Sequence, residues 1–138
     1  SVKFSWIGGG ELRAAIDESF VEVTGWIDGK SVQVKLNNSD IYLSTSLWEG
    51  QPFAVLEAMN MSKCLILRNC VGNRDLVKQG VNGFLFETVE EAVSIIKNLL
   101  TNPELIEKLG NASRELCEKS HDQVLMGQLY EKEYEKII

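Results

Sequence analysis

Short apolar or β-branched runs recur along the first 87 residues, at Val2–Ile7, Phe20–Thr24, Asp40–Ser44, Cys64–Arg68 and Gly83–Phe86. Their length and residue types predict strands. Between them Glu11–Glu18, Lys30–Asn37, Phe53–Met61 and Asn73–Lys78 read as short helices. Alternation of this kind predicts an α/β domain: a Rossmann-like, mainly parallel sheet with helices on both faces. From residue 88 the pattern is helical only. Thr88 and Glu91 have capping-box spacing ahead of Val93, Ile96, Leu99 and Leu100. Asn102-Pro103 opens a second helix with Leu105, Leu109, Leu116 and Cys117 as its stripe. Asp122 is placed to cap a third, carrying Leu125, Leu129, Tyr130, Tyr134 and Ile137. The expectation is a single domain, 1–138, with an alternating core over 1–87 and C-terminal helices over 88–138.

In parallel sheets ligands bind outside the carboxyl ends of the strands. The loops after Ile7, Thr24, Ser44 and Arg68 are therefore the candidate rim. The loop after Ser44 runs into the segment LWEGQPFAVLEAM, which holds two glutamates, Glu49 and Glu57, with seven residues between them. Pro52 suits the first position of a helix, where a missing N–H costs nothing. The helix after it is apolar almost all round, which predicts burial. Its first N–H groups lack intrahelical partners and the macrodipole adds positive charge, so this end favours a phosphate. Gly50 lets the chain pass close to a ligand. Glu57 lies roughly 7 Å along the helix axis from Pro52, about the reach from a diphosphate to the far side of its ribose. Glu49 faces whatever hangs beyond the phosphates, and the geometry suggests a nucleotide-sugar. A plainer reading puts Glu57 with Asn60 on a solvated helix face and makes Glu49 an ordinary loop charge. Spacing alone leaves both open.

Composition narrows the class. The chain has 138 residues, 44% hydrophobic and 25% charged, which is ordinary for a soluble globular domain. No apolar run approaches the ~20 residues of a membrane span, and no signal-peptide pattern opens the sequence. The three cysteines, Cys64, Cys70 and Cys117, lack metal-ligand spacing, so a reduced cytoplasmic setting is expected. Residues 1–86 carry 8 Lys/Arg against 9 Asp/Glu, and residues 87–138 carry 6 against 11. An acidic chain with no basic stripe argues against nucleic acid as a partner. Gly8-Gly9-Gly10 invites a dinucleotide fingerprint, but Arg13 occupies its third glycine position, leaving only a tight turn. His121, the single histidine, is expected on the surface at a helix start. Arg74 follows Gly72-Asn73 at a predicted helix start and is a candidate phosphate contact; the alternative is a solvated or ion-paired helix residue.

The segment STSLWEGQPFAVLEAMNMSKCLILRNCVGNRDLVKQGVNGFLFET resembles the C-terminal half of retaining glycosyltransferases of the GT-B fold, family 4 in particular. Two glutamates with seven residues between them are the hallmark of that half. KFSWIGGGELRAAI is similar to its strand–glycine-loop–helix, FVEVTGWID to its next strand, and SHDQVLMGQLYEKEYEKI to its terminal helix. The order is the family's over nearly the whole chain.

The resemblance implies roles. Glu57 binds the ribose hydroxyls of the donor, and Glu49 contacts the transferred sugar as the catalytic carboxylate. Main chain around Gly50, Gln51, Pro52, Phe53 and Ala54 holds the diphosphate, with Gln51 bearing on sugar preference. Trp26 and Ile27 meet the base, and the Gly8, Gly9 turn lines the same cleft. The implied donor is a UDP- or GDP-type sugar, and neither a metal nor another cofactor is expected. The acceptor is a glycan or lipid-linked molecule, in polysaccharide assembly at the cytoplasm or the inner membrane face. The family's basic pair and its N-terminal acceptor domain have no counterpart here. The isolated chain is therefore expected to be inactive, half of a retaining hexosyltransferase, with the terminal helix exposing Leu129, Tyr130 and Tyr134 as a dimerisation face. A non-catalytic nucleotide-sugar-binding module and a hydrolase or phosphorylase of the same fold are the alternatives. Departures from the family pattern are Ser62-Lys63-Cys64 where a G-x-P turn is usual, and Asp75 where a glutamate is usual.

Overall fold

The computed structural model describes residues 2–137; Ser1 and Ile138, the ends of the expected 1–138 domain, lie outside the described residues. The chain divides into two compact units, Ser1–Asn38 and Ser39–Ile138.

In the first unit β1 (Phe4–Trp6) pairs in parallel with β2 (Val21–Val23), Phe4 opposite Val21. The expected helix over Glu11–Glu18 is a single stretch of 3-10 helix, Glu11–Ala15. Local side chains explain why it stops. The Asp17 carboxylate accepts from the Ser19 amide at 3.0 Å and the Ser19 hydroxyl at 2.6 Å, a turn that competes with helical hydrogen bonding. Helix α1 (Gly29–Asn37) starts at Asp28, whose carboxylate accepts from the Ser31 amide.

The second unit holds β3 (Ile41–Ser44), α2 (Phe53–Asn60), β4 (Cys64–Arg68), α3 (Val71–Leu76) and β5 (Gly83–Phe86), followed by three helices. The strands run parallel in the order β3-β4-β5, with Ile41 opposite Cys64 and Leu65 opposite Gly83. Among the described residues every strand pairing is parallel, β1 with β2 in the first unit and β3-β4-β5 in the second, as the alternation predicts. Cys64 through Leu67 are all fully buried. Successive side chains of a strand point to opposite faces, so both faces of β4 are covered. On one face Cys64, Ile66 and Phe86 pack with Ala92, Leu99 and Leu109 from α4 (Val89–Leu100) and α5 (Pro103–Ser120).

Helix α3 begins two residues earlier than its apolar pattern suggests, at Val71 rather than Asn73, so Arg74 falls in its last turn. The C-terminal caps are as expected. Thr88 and Glu91 form a capping box, Asn102 caps α5 with Pro103 in its first turn, and Asp122 caps α6 (Gln123–Glu135). Leu129, Tyr130 and Tyr134 of α6 are exposed. His121 departs from expectation: it closes α5 instead of opening a helix, and it is half-buried with its Nδ1 atom unpartnered among the described residues. No helix of the described residues is long and apolar enough to cross a membrane.

Ser62 takes a left-handed φ of 57° at the turn before β4, the conformation that the usual glycine there accommodates freely. The turn is held from two sides. Lys63 is buried and its Nζ donates to the Ser39 carbonyl at 2.7 Å, while Gly110 of α5 lies so close that a Cβ would meet the Ser62 carbonyl oxygen.

Candidate functional site in the loop before α2

The two glutamates stand on different supports. Glu49 lies in the irregular loop between β3 and α2 and is half-buried; Glu57 is exposed in the middle of α2. The expectation of an all-buried α2 fails in an informative way. Val55, Ala58 and Met59 face the core, but Phe53, Ala54, Glu57 and Asn60 are open, with Phe53 75% exposed. Phe53 and Glu57 are four residues apart, so they share this open face.

Pro52 precedes the helix instead of occupying its first position, and no side chain caps that end. The Pro52 carbonyl accepts from Val55 at 3.0 Å and Leu56 at 3.3 Å. The amides of Phe53 and Ala54 have no partner among the described residues. An uncapped end with free N–H groups and the positive pole of the dipole is suited to an anion. Glu57 stands one turn further along on the exposed side.

Tyr42 of β3 is the titratable group on which both carboxylate charges act. Burial raises the Tyr42 phenol above its ordinary range, and the negative charges of Glu49 and of Glu57 push it the same way. The sequence pattern marks Tyr42 only as a strand residue; its alternation with Ile41 and Leu43 was the one available signal.

The Glu49 loop is seated on α3. The Gly72 amide donates to the Glu49 carbonyl at 3.2 Å. Arg74, in the same short helix, is exposed. Trp48 and Leu47 flank Glu49 and are exposed at 83% and 71%.

In the first unit the loops after β1 and β2 meet. The Gly8 amide donates to the Gly25 carbonyl at 3.1 Å and to the Thr24 hydroxyl at 3.3 Å. Gly9 lies beside the Trp26 ring, and Ile27 follows half-buried. Trp26 is 93% exposed. A cavity of about 300 Å³ opens next to this junction, lined by Trp6, Gly9, Gly10, Leu12 and Arg13. The Arg13 guanidinium pairs with Glu18 at 3.0 Å.

Comparison with known proteins bears on the family and the fold. Residues 1–102 match the family Glycosyl transferases group 1. Glycosyltransferase 1 domain-containing protein 1 of Xenopus tropicalis is 30% identical over 105 residues, covering 76% of this chain and 30% of that protein. Among solved structures, an S. aureus TarM mutant in complex with Fondaparinux, alpha-GlcNAc-glycerol and UDP superposes with a TM-score of 0.86 at 22% identity. That match covers 95% of this chain and 28% of TarM. Anabaena HepE in complex with UDP-glucose gives a TM-score of 0.77 at 20% identity, over 86% of this chain and 33% of HepE. The chain thus spans about a third or less of the length of these relatives. The structural likeness identifies the α/β architecture of the GT-B glycosyltransferases. Because the family match extends over residues 1–102, from β1 through the Glu49 loop and α2 to the end of α4, this chain belongs to the glycosyl transferases group 1 and corresponds to their C-terminal domain.

Proposed function

We propose that this chain is the donor-binding part of a longer enzyme that moves a hexose from a nucleoside diphosphate to a glycan or lipid-linked acceptor, with retention at the anomeric carbon. The observation that carries the reading is the start of α2: two free amides at an uncapped helix end, Glu57 one turn beyond, Glu49 just ahead, and both carboxylates acting on Tyr42. The amides of Phe53 and Ala54 take the diphosphate, with Gly50 and Gln51 lining its approach. Glu57 accepts hydrogen bonds from the two ribose hydroxyls, and Glu49 faces the sugar. Trp26 and Ile27, with Gly8 and Gly9, serve the base. The likeness to HepE, crystallised with UDP-glucose, supports a donor of this class.

In the transfer, the bond between the anomeric carbon and the β-phosphate oxygen breaks and its electron pair leaves with the nucleoside diphosphate. The acceptor oxygen bonds to the anomeric carbon and gives up its proton to the departing diphosphate oxygen. Negative charge grows on the departing diphosphate, where fixed N–H dipoles stabilise it with little reorganisation. Glu49 offsets the positive charge that develops on the sugar ring.

Calorimetric titration with UDP, GDP, UDP-glucose and GDP-mannose tests the reading, on this chain and on the full-length protein. One nucleotide class should bind, and Glu57→Ala should weaken it by about 1–3 kcal/mol, the loss of hydrogen bonds to a charged group. No binding of any of the four by the full-length protein sinks it.

A further inference from the structure

The Glu49 loop has no regular structure of its own, yet a loop carboxylate at a reacting centre must be held in place. Its seat is Gly72. The Gly72 amide is second in α3 and has no acceptor within its own helix; it donates instead to the Glu49 carbonyl at 3.2 Å. A Cβ built on Gly72 would fall 2.1 Å from the Gly50 carbonyl oxygen and 2.8 Å from that of Glu49. The loop main chain lies flat against the first turn of α3, at a distance open only to glycine. Gly72 has a helical backbone rather than a left-handed one, so space and not φ requires a glycine here.

Which partner gives way when that space is filled follows from how α3 is tied down. Asn73 is fully buried and its Nδ2 donates to the Arg68 carbonyl at 2.8 Å. At the other end Asn82, also fully buried, donates to the Leu76 carbonyl at 2.9 Å. Leu76 is buried as well. The loop carries exposed Leu47, Trp48 and Gln51, and it is the part free to move.

We propose that Gly72 is a positioning residue that sets the place of the Glu49 carboxylate through a main-chain seat, and that it acts on the sugar end of the donor rather than the nucleotide end. This rests on the donor-site reading above. Glu57 and the free amides belong to α2, which is anchored separately by buried Val55, Ala58 and Met59. Filling the seat therefore shifts Glu49 and the adjoining Gly50 while leaving Glu57 and the Phe53 and Ala54 amides on their buried helix.

The test pairs Gly72→Ala with Gly110→Ala, an equally tight glycine whose Cβ would fall 2.1 Å from the Ser62 carbonyl oxygen, at the opposite end of α2. Hydrogen exchange on this chain should show the residue-72 amide losing protection in Gly72→Ala, while the β4 amides keep theirs. Moving Glu49 removes its hydrogen bond to the sugar, a loss of a contact to a charged group, so the preference for UDP-glucose over UDP should fall about tenfold or more. Affinity for UDP alone, held by Glu57 and the α2 amides, should stay within about threefold. GDP and GDP-mannose are read the same way. Gly110→Ala should lower stability and leave the preference unchanged. Should Gly72→Ala fail to fold, Asn73→Ala, which frees α3 from Arg68, should lower residue-72 protection and the sugar preference together. Unchanged protection at residue 72, or lost protection with the sugar preference intact, overturns the proposal. If wild-type protein binds none of these nucleotides, the donor reading falls, and the exchange pattern alone decides whether the seat exists.

Discussion

Asn82 offers the sharpest test of how the site is supported. Its side chain is fully buried and satisfied at both ends: Oδ1 accepts from the Lys78 amide at 2.8 Å and Nδ2 donates to the Leu76 carbonyl at 2.9 Å. Its own carbonyl accepts from the Ser113 hydroxyl at 2.9 Å. The side chain thus closes the loop between α3 and β5 and fixes the end of the helix that carries Gly72. Asn82→Ala removes two hydrogen bonds and strands the buried Leu76 carbonyl. A stranded buried group costs about 1–3 kcal/mol and a lost bond about 1, so the expected destabilisation is about 2–4 kcal/mol. The two units need not unfold together, so the readout should be local. Native-state exchange of the Leu65–Leu67 amides reports the unit that contains Asn82, and its free energy should drop by that amount. Ser113→Ala leaves both Asn82 side-chain bonds in place and should cost only about 1 kcal/mol. A loss below about 1 kcal/mol for Asn82→Ala would mean that the loop is held by other contacts and that this hydrogen-bond reasoning is wrong.

Ser62→Gly should stabilise by up to about 1 kcal/mol in urea unfolding, because it relieves a left-handed serine at φ 57°. Thr88→Ala breaks the capping box of α4 and should cost about 0.5–2 kcal/mol in the same assay. Leu99→Ala empties a fully buried core position and should cost about 2–5 kcal/mol. Burial pushes the Cys64 thiol up to about 12 from an ordinary 9.0. The folded state therefore resists ionisation that the unfolded chain undergoes, so this stability is present below pH 9 and is lost as pH rises toward 12. The slope is about 1.4 kcal/mol per pH unit. Urea midpoints across that window should fall less steeply in Cys64→Ala than in wild type, and an equal slope in the two proteins would contradict the assignment.

Much of this protein is written locally. Thr88, Asn102 and Asp122 each satisfy amides three residues on, so their helices are legible from neighbouring letters. Cys64–Arg68 and Gly83–Phe86 are strands because apolar and β-branched runs between turns have few other uses. The segment around Glu49 and Glu57 is likewise visible as a helix start with two carboxylates. The sequence by itself determined the strands, most of the helices, the caps of the three C-terminal helices and the family, but not the 3-10 stretch at Glu11–Ala15 or the start of α3 at Val71.

Only the tertiary structure decided the rest. Phe53 and Ala54 look as buried as Val55 in an apolar run, yet packing turns them outward beside Glu57. Tyr42 is an unmarked strand residue until the fold brings it under the charges of Glu49 and Glu57. Gly72 reads as a loop glycine, and its function comes from a main chain that arrives from a distant part of the sequence. Caps and turns are set by atoms a few bonds apart. Facing, charge proximity and free space depend on which distant segments meet, and those are properties of the packed chain.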